Sequence, residues 1–257
     1  MDEQNVSGPH VSDAVAGSFA DLAPAHPVEP PHAQFPPSHH IRSAYDREIA
    51  EIKDNVLRMG SYVEAQIRAA IAALIAHDAT AATRVIADDR AVNELQRKVT
   101  AMIAAVIATQ NPVARDLRYL LTLDHVSYEL ERMGDHAGSV AKQARKLAPF
   151  PPLRDYVLLP DLGAKVADLV DGIVQALVDV DQDQARAVAR QDDEVDALYH
   201  QIFDVVLGLM RDDPANVDPG TRILFASHYL ERIGDRVTNI AEDIVFLASG
   251  EVEDLNQ

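Results

Sequence analysis

A stretch of fifteen residues occurs twice in this chain of 257 residues, and the two copies lie 100 positions apart. The first copy, LERMGDHAGSVAKQA, spans Leu130–Ala144, and the second, LERIGDRVTNIAEDI, spans Leu230–Ile244. A second match lies upstream, where DDRAVNEL (Asp88–Leu95) corresponds to QDDEVDAL (Gln191–Leu198), 103 positions later. Because both matches occur in the same order, the sequence predicts two copies of one structural unit.

Apolar residues recur at helical spacing from residue 42 onward. In the first segment they form one continuous stripe with steps of three and four, namely Ile49, Ile52, Val56, Met59, Val63, Ile67, Ala70, Ile71 and Leu74. Turn residues and prolines divide the chain into six predicted helices, at about 42–77, 80–109, 113–147, 161–180, 182–211 and 219–249, with Gly250 ending the last. No segment shows the two-residue alternation of a strand, so the predicted fold class is all-α.

A proline-rich break at 149–160 separates the first three predicted helices from the last three. Long helices with short connections pack against their neighbours, which predicts two tandem antiparallel three-helix bundles, at 41–150 and 151–257. Residues 1–40 hold seven of the 14 prolines and five of the ten histidines. We interpret them as a disordered arm. Histidines in the arm could bind a metal loosely, but a solvated tail is the favoured interpretation.

Composition excludes several classes of function. The chain has no cysteine, which excludes disulfides, thiolate metal sites, iron–sulfur clusters and a cysteine nucleophile. Its formal net charge of -18 argues against nucleic acid as a direct partner. No apolar run reaches the ~18–20 residues of a membrane span, and the N-terminus lacks the features of a signal peptide. The expectation is a soluble, cytoplasmic protein.

Each repeat carries two acidic motifs in which the polar residues stand four positions apart and therefore share a helix face. Their residues are Asp89 and Asn93 with Glu131 and Asp135 in the first repeat, and Asp192 and Asp196 with Glu231 and Asp235 in the second. If the two faces converge, they form oxygen-rich cages suited to Mg²⁺, Mn²⁺, Ca²⁺ or iron. The alternative is a solvated face, since Arg90, Arg132 and Arg232 each neighbour an acidic residue.

A glycine stands inside the acidic motif of the third helix in both repeats, at Gly134 and Gly234. Glycine within a helix costs ~1 kcal/mol relative to alanine, so its presence in both copies calls for a reason. Close approach by a neighbouring backbone or ligand is one explanation. Close helix–helix packing is the other explanation, and the sequence does not distinguish between the two.

An enzymatic alternative is a di-metal carboxylate bundle that performs oxidation or hydrolysis. Such sites combine Glu with Glu-x-x-His on facing helices. Here glycine occupies the position three residues after Glu131 and after Glu231. His228 precedes Glu231 by three, the reverse order, and Tyr128 stands at the matching position of the first repeat. The prediction is therefore a protein without catalytic residues.

The duplicated LER-[IM]-G-D element, with NPVARDLR before the first copy and TNIAEDIVFLASGE after the second, resembles the PhoU family over about residues 42–250. That resemblance implies a pair of three-helix bundles, usually dimeric, with metal clusters on the acidic motifs. The family's E-x-x-x-D motif matches Glu131 with Asp135 and Glu231 with Asp235, and its D-x-x-x-[ND] motif matches Asp89 with Asn93 and Asp192 with Asp196. The sequence departs from the family at Ser139, where Asn is frequent, at Arg236, where His is frequent, and in its N-terminal arm.

The resemblance also implies a function and partners. The family consists of non-enzymatic, negative regulators of phosphate uptake and of the phosphate-starvation response. A member is expected at the cytoplasmic face of the membrane, held there by partners and without binding nucleic acid. Those partners are the ATPase of the phosphate ABC transporter and a sensor histidine kinase. The implied cofactors are divalent or trivalent metal ions, with iron, manganese, zinc and magnesium as candidates.

Overall fold

The computed structural model describes residues 38–153 and 158–255, and these form helices and short connections with no strand among them. The helices are α1 (Ser38–Ile75), α2 (Ala79–Gln110), α3 (Arg115–Leu147), α4 (Leu158–Asp179), α5 (Gln182–Ala189), α6 (Asp192–Asp212) and α7 (Val217–Ser249). A 3-10 turn, Pro214–Asn216, precedes α7. Within the described ranges, no helix combines the length and the apolar character needed to cross a membrane. The predicted all-α class is confirmed.

The first helix begins earlier than predicted. α1 starts at Ser38, so the last three residues of the predicted arm belong to the helix. Ser38 directly follows Pro36 and Pro37 in the sequence. Proline breaks a helix at interior positions, so a start directly after these two residues is expected. The rest of the predicted arm lies outside the described residues.

The turns that open the second helix of each repeat are equivalent, at an offset of 103 residues. His77 and Val180 both adopt a left-handed φ of 51°. The next residues, Asp78 and Asp181, each cap the following helix by accepting hydrogen bonds from two backbone N–H groups at 2.9–3.0 Å. The structure therefore repeats the turn as well as the sequence motif, and the predicted duplication is confirmed.

The predicted helix 182–211 is interrupted, because α5 ends at Ala189 and α6 begins at Asp192. The two residues between them, Arg190 and Gln191, keep right-handed helical dihedral angles. Gln191 N–H bonds Val188 O at 2.9 Å, a tighter turn than the α-helix makes. The break places Asp192, the first residue of the second repeat's upstream acidic motif, in the first turn of α6.

Two glycines allow the first helices of the two repeats to pack closely against each other. A Cβ at Gly60 on α1 would lie 2.6 Å from Val174 on α4, and a Cβ at Gly163 on α4 would lie 2.5 Å from Ile71 on α1. These contacts are equivalent, because Gly60 and Gly163 are 103 positions apart and so are Ile71 and Val174. Except for the partly buried Ile49, the predicted apolar stripe of α1 is buried.

The third helices of the two repeats, α3 and α7, pack antiparallel. Arg236 Nη1 on α7 lies 3.3 Å from Glu129 Oε2 on α3. At the 100-residue offset between the repeats, Arg236 corresponds to His136 on α3 and Glu129 corresponds to Tyr229 on α7. The rings of His136 and Tyr229 stack with centroids 6.0 Å apart. Burial, and next the charge of Arg236, lower the pKa of His136 to about 4. The repeats are therefore related by an approximate twofold axis between α3 and α7.

Candidate functional site

The acidic motifs of the first repeat meet between α2 and α3, and we call Asp89, Asn93, Glu131 and Asp135 cluster 1. Asn93 Nδ2 donates to Asp89 Oδ2 at 3.1 Å, which holds the two motif residues of α2 together. Burial raises the pKa of Glu131, and the charges of Asp135 and Asp89 raise it further while Arg132 lowers it. The predicted convergence of the two helix faces is present in this repeat.

A residue outside the motifs also reaches cluster 1. Gln66 on α1 is only 7% exposed, and its Nε2 lies 3.5 Å from Asp89 Oδ1. Its carbonyl oxygen, Oε1, is buried and has no hydrogen-bond partner among the described residues. This residue is not among the predicted site residues. The indication in the sequence was a polar residue directly before Ile67 of the apolar stripe. Buried polar groups normally have a hydrogen-bond partner, so such a residue points to a polar neighbour.

The acidic motifs of the second repeat meet between α6 and α7, and we call Asp192, Asp196, Glu231 and Asp235 cluster 2. Asp192 is 9% exposed, and its Oδ2 accepts a hydrogen bond from Thr238 at 3.4 Å. Its other oxygen, Oδ1, is buried and accepts no hydrogen bond from the part of the chain that the structure describes. A buried carboxylate oxygen without a donor is costly, and a cation or a proton would offset that cost.

Electrostatics in cluster 2 reflect crowding of like charges. Burial, followed by the charges of Asp196 and Asp235, raises the pKa of Asp192 to about 7. Burial, and then the charge of Asp235, also raise the pKa of Glu231 and the pKa of Asp196. His228 opposes the shift of Glu231, and its Nδ1 lies 3.2 Å from Glu231 Oε2. The carboxylates therefore repel one another across the helix pair.

Arginines compensate only part of this negative charge. Arg132 Nη1 lies 3.4 Å from Asp135 Oδ2, and the equivalent Arg232 Nη1 lies 3.3 Å from Asp235 Oδ2. These guanidinium groups are 43% and 41% exposed, so their ion pairs are weak. The solvated-face interpretation therefore fits the outer aspartate of each α3 or α7 motif. It does not fit Asp192, which is buried.

Packing requires a glycine at Gly234 but not at Gly134. A Cβ at Gly134 would lie 3.4 Å from both Asp89 Oδ1 and Gln66 Oε1, whereas a Cβ at Gly234 would overlap Asp192 Oδ1. Gly234 therefore leaves room for Asp192, the first carboxylate of the motif on the facing helix, whereas a Cβ at Gly134 would make an ordinary contact with Asp89. Close approach occurs, but the approaching group is an aspartate side chain.

The cages expected from spacing are not preformed. Within residues 38–153 and 158–255, no three Asp, Glu or His side chains are positioned to hold a metal ion. Ser139 donates to its own helix at Asp135 O, 2.9 Å away. The donor chemistry, the buried orphan oxygen and the repulsion fit a bound cation, while side chains would have to rotate to surround it. The metal ligands therefore stay a prediction.

Comparison with known proteins identifies the family. The family model described as "PhoU domain" matches residues 56–144 and again residues 159–244, one match in each structural repeat. The chain belongs to the PhoU family. Both matches contain complete acidic motifs, so the PhoU domain includes clusters 1 and 2.

Relatives and solved structures extend the similarity over nearly all of the helical part. A protein from Clostridium acetobutylicum, named "Phosphate-specific transport system accessory protein PhoU homolog", is 35% identical over 216 residues, covering 84% of this chain and 99% of the relative. The crystal structure of PhoU from Pseudomonas aeruginosa has a TM-score of 0.77 at 32% identity, covering 80% of this chain and 100% of that one. The phosphate transport system regulatory protein PhoU from Streptococcus pneumoniae gives 0.76 at 28% identity, with coverages of 82% and 99%.

Proposed function

We propose that this protein is an accessory protein of phosphate-specific transport and a negative regulator of phosphate uptake and of the phosphate-starvation response. The observation that carries the proposal is the similarity over both repeats to a phosphate-specific transport accessory protein, 35% identical over 99% of its length. The fold supports it, because the pair of PhoU domains matches a solved phosphate transport regulator at a TM-score of 0.76.

In this proposal the protein acts by contact. It couples the ATPase of the phosphate ABC transporter to a sensor histidine kinase, and it holds the kinase inactive or acting as a phosphatase when phosphate is plentiful. It would work in the cytoplasm as a homodimer and reach the membrane through these partners. A regulator of this kind must bind one conformation of its partner more tightly than another, because only differential affinity shifts an equilibrium. No catalytic turnover is part of the proposal.

The uneven charge of the chain supports contact with basic partner surfaces. Residues 161–257 hold 21 acidic and seven basic side chains, a net charge of -14. Such an excess repels itself, and a partner surface of opposite sign relieves the repulsion and accelerates encounter. We therefore expect association with both partners to weaken as ionic strength rises.

We also propose that clusters 1 and 2 bind metal ions, with iron, manganese, zinc and magnesium as candidates. The proposed ligands are Asp89, Asn93, Glu131, Asp135, Asp192, Asp196, Glu231 and Asp235. A cation at each cluster would neutralise the repelling carboxylates and join α2 to α3 and α6 to α7. The metal would then brace the bundles, while other faces contact the partners.

The function is tested in the organism that carries the gene. Deletion should raise phosphate uptake and switch on a reporter of the phosphate-starvation response in phosphate-replete medium, and the wild-type gene should restore repression. A tagged copy should recover the transporter ATPase or the kinase from cells, in amounts that differ between replete and starved cultures. Unchanged uptake and reporter activity after deletion would contradict the proposed regulation.

A further inference from the structure

Gln66 gives cluster 1 a group that cluster 2 lacks. Its side chain is 7% exposed, and its orphan Oε1 would lie 3.4 Å from a Cβ at Gly134, beside Asp89. The equivalent residue of the second repeat, 103 positions on, is Leu169, which is apolar and 2% exposed. An amide oxygen therefore reaches the acidic motif in one repeat and not in the other.

His228 gives cluster 2 a group that cluster 1 lacks. Its Nδ1 lies 3.2 Å from Glu231 Oε2, and its ring packs at 6.1 Å against both Tyr199 and Tyr229. The equivalent residue of the first repeat is Tyr128, whose hydroxyl accepts a hydrogen bond from Arg132 at 3.1 Å. Among the histidines whose side chains the structure describes, His228 is in contact with a carboxylate of cluster 2, and none is seen in such contact at cluster 1.

The remaining histidine near cluster 1 faces elsewhere. His136 follows Asp135 in sequence, but its ring stacks on Tyr229 of α7, on the side of α3 that contacts the other repeat. Cluster 1 thus offers oxygen donors, with a formal charge of -3 from its three carboxylates. Cluster 2 carries -4, because Asp196 stands where cluster 1 has Asn93.

We propose that the two clusters bind different classes of cation: cluster 2 a borderline-soft ion such as zinc or ferrous iron, with His228 as an imidazole ligand, and cluster 1 a hard divalent cation held by oxygen atoms that include Gln66 Oε1. Imidazole suits zinc and iron, whereas carboxylate and carbonyl oxygens suit Mg²⁺, Ca²⁺ and Mn²⁺. This inference rests on the metal binding proposed above. It is carried by the buried, unpartnered oxygens of Gln66 and Asp192, each directed into its cluster.

Two substitutions that copy one repeat into the other test the inference. His228→Tyr gives the second repeat the residue of the first, and Gln66→Leu gives the first repeat the residue of the second. Full-length protein is stripped with a chelator and titrated with Zn²⁺ in excess Mg²⁺, and separately with Mn²⁺. Elemental analysis gives the metal content, and zinc X-ray absorption detects an imidazole ligand. Thermal unfolding of each variant shows that it is folded.

Wild-type protein should retain one zinc ion per chain with an imidazole signal. His228→Tyr should weaken zinc binding about tenfold or more and abolish that signal. Gln66→Leu should leave zinc binding unchanged and weaken binding of one Mn²⁺ to a similar degree. Equal zinc affinity in His228→Tyr and wild type, two equivalent zinc ions without imidazole, or no bound metal would overturn the inference. The deletion and reporter experiment would still decide the regulatory function independently.

Discussion

Arg236 and Glu129 form an ion pair between the two repeats, with Arg236 Nη1 3.3 Å from Glu129 Oε2. The carboxylate side chain is 4% exposed and the guanidinium side chain 23% exposed, so this pair is more buried than the other arginine–carboxylate pairs described. Arginine occupies the position where the first repeat has His136. At this position the guanidinium group of Arg236 therefore joins the second repeat to the first.

Removing the positive charge of Arg236 should destabilise the protein. Among the described residues, Arg236→Met leaves the buried Glu129 one ion-pair partner, His125, which lies 3.6 Å away and is charged only when protonated. We expect the free energy of unfolding to fall by about 2 kcal/mol, because an uncompensated buried charge is costly. Denaturant unfolding measures the change.

The double variant Glu129→Gln with Arg236→Met should recover part of that loss, since it removes the orphan charge. Arg68→Met is the matched control, because Arg68 is 47% exposed and pairs with the exposed Asp168. It should cost less than about 1 kcal/mol. Equal losses in Arg236→Met and Arg68→Met would show that Glu129 needs no cation.

Stability should depend on pH through His125. Its Nδ1 lies 2.6 Å from Asp243 Oδ2, and this hydrogen bond, with the charges of Asp243, Glu129 and Asp124, raises the pKa of His125 above 6.5 despite partial burial. Because the folded pKa is the higher one, the stabilisation is complete below pH 6.5 and is lost as pH rises through the folded value.

His125→Phe, which copies Phe225 of the second repeat, should remove that contribution. We expect a loss of about 0.5 kcal/mol below pH 6.5, a small value since the imidazole is half exposed, and no loss well above the raised pKa. Unfolding curves of both proteins across this pH range measure the difference. A difference independent of pH would refute the role of His125.

Asp192 should destabilise the metal-free protein at neutral pH. Burial and like charges raise its pKa to about 7 from 3.8, so the folded state binds its proton more tightly than the unfolded state. Stability linked to this group is therefore present below pH 3.8 and lost as pH rises to about 7. Asp192→Asn should raise the free energy of unfolding of chelated protein by about 2–4 kcal/mol above pH 7.

The same substitution should eliminate any stabilisation that added metal gives to cluster 2. Asp193→Asn is the matched control, since Asp193 is the next residue and is exposed. It should change neither stability nor metal response by more than about 0.5 kcal/mol. Calorimetric unfolding with and without metal compares the two variants. If Asp192→Asn behaved like Asp193→Asn, the buried carboxylate would not be the source of strain.

The two motif glycines should respond differently to alanine. Gly134→Ala introduces a Cβ 3.4 Å from Asp89 Oδ1, an acceptable contact, so the better helix propensity should raise stability by about 0.5–1 kcal/mol. Gly234→Ala overlaps Asp192 Oδ1 and should lower stability by about 1–2 kcal/mol. Thermal unfolding distinguishes the signs, and a gain in both variants would contradict the packing described for Asp192.

Local signals made much of the fold predictable. Gly250 ends α7 with a φ of 82°, as its position after the last apolar residue indicated. The stripe from Ile52 to Leu74 gave the buried face of α1. These features depend on neighbours close in sequence, so one sequence suffices to detect them.

Features that depend on distant residues were not predictable. Arg236 and Glu129 lie 107 positions apart, and neither residue shows which helix it will face. Gln66 occupies a position that periodicity assigns to the core, and only the packing of α1 against cluster 1 explains an amide there. The interruption at Arg190 and Gln191 was missed because both residues keep helical dihedral angles.

The most direct test of the account is metal content and thermal stability of the purified protein before and after EDTA. If cations relieve repulsion in both clusters, elemental analysis should find bound metal that EDTA removes, and the unfolding temperature should fall by about 5–10 °C. Re-addition of the metal should restore it. Protein that contains no metal and unfolds at the same temperature with and without EDTA would contradict the claim that cations hold α2 to α3 and α6 to α7.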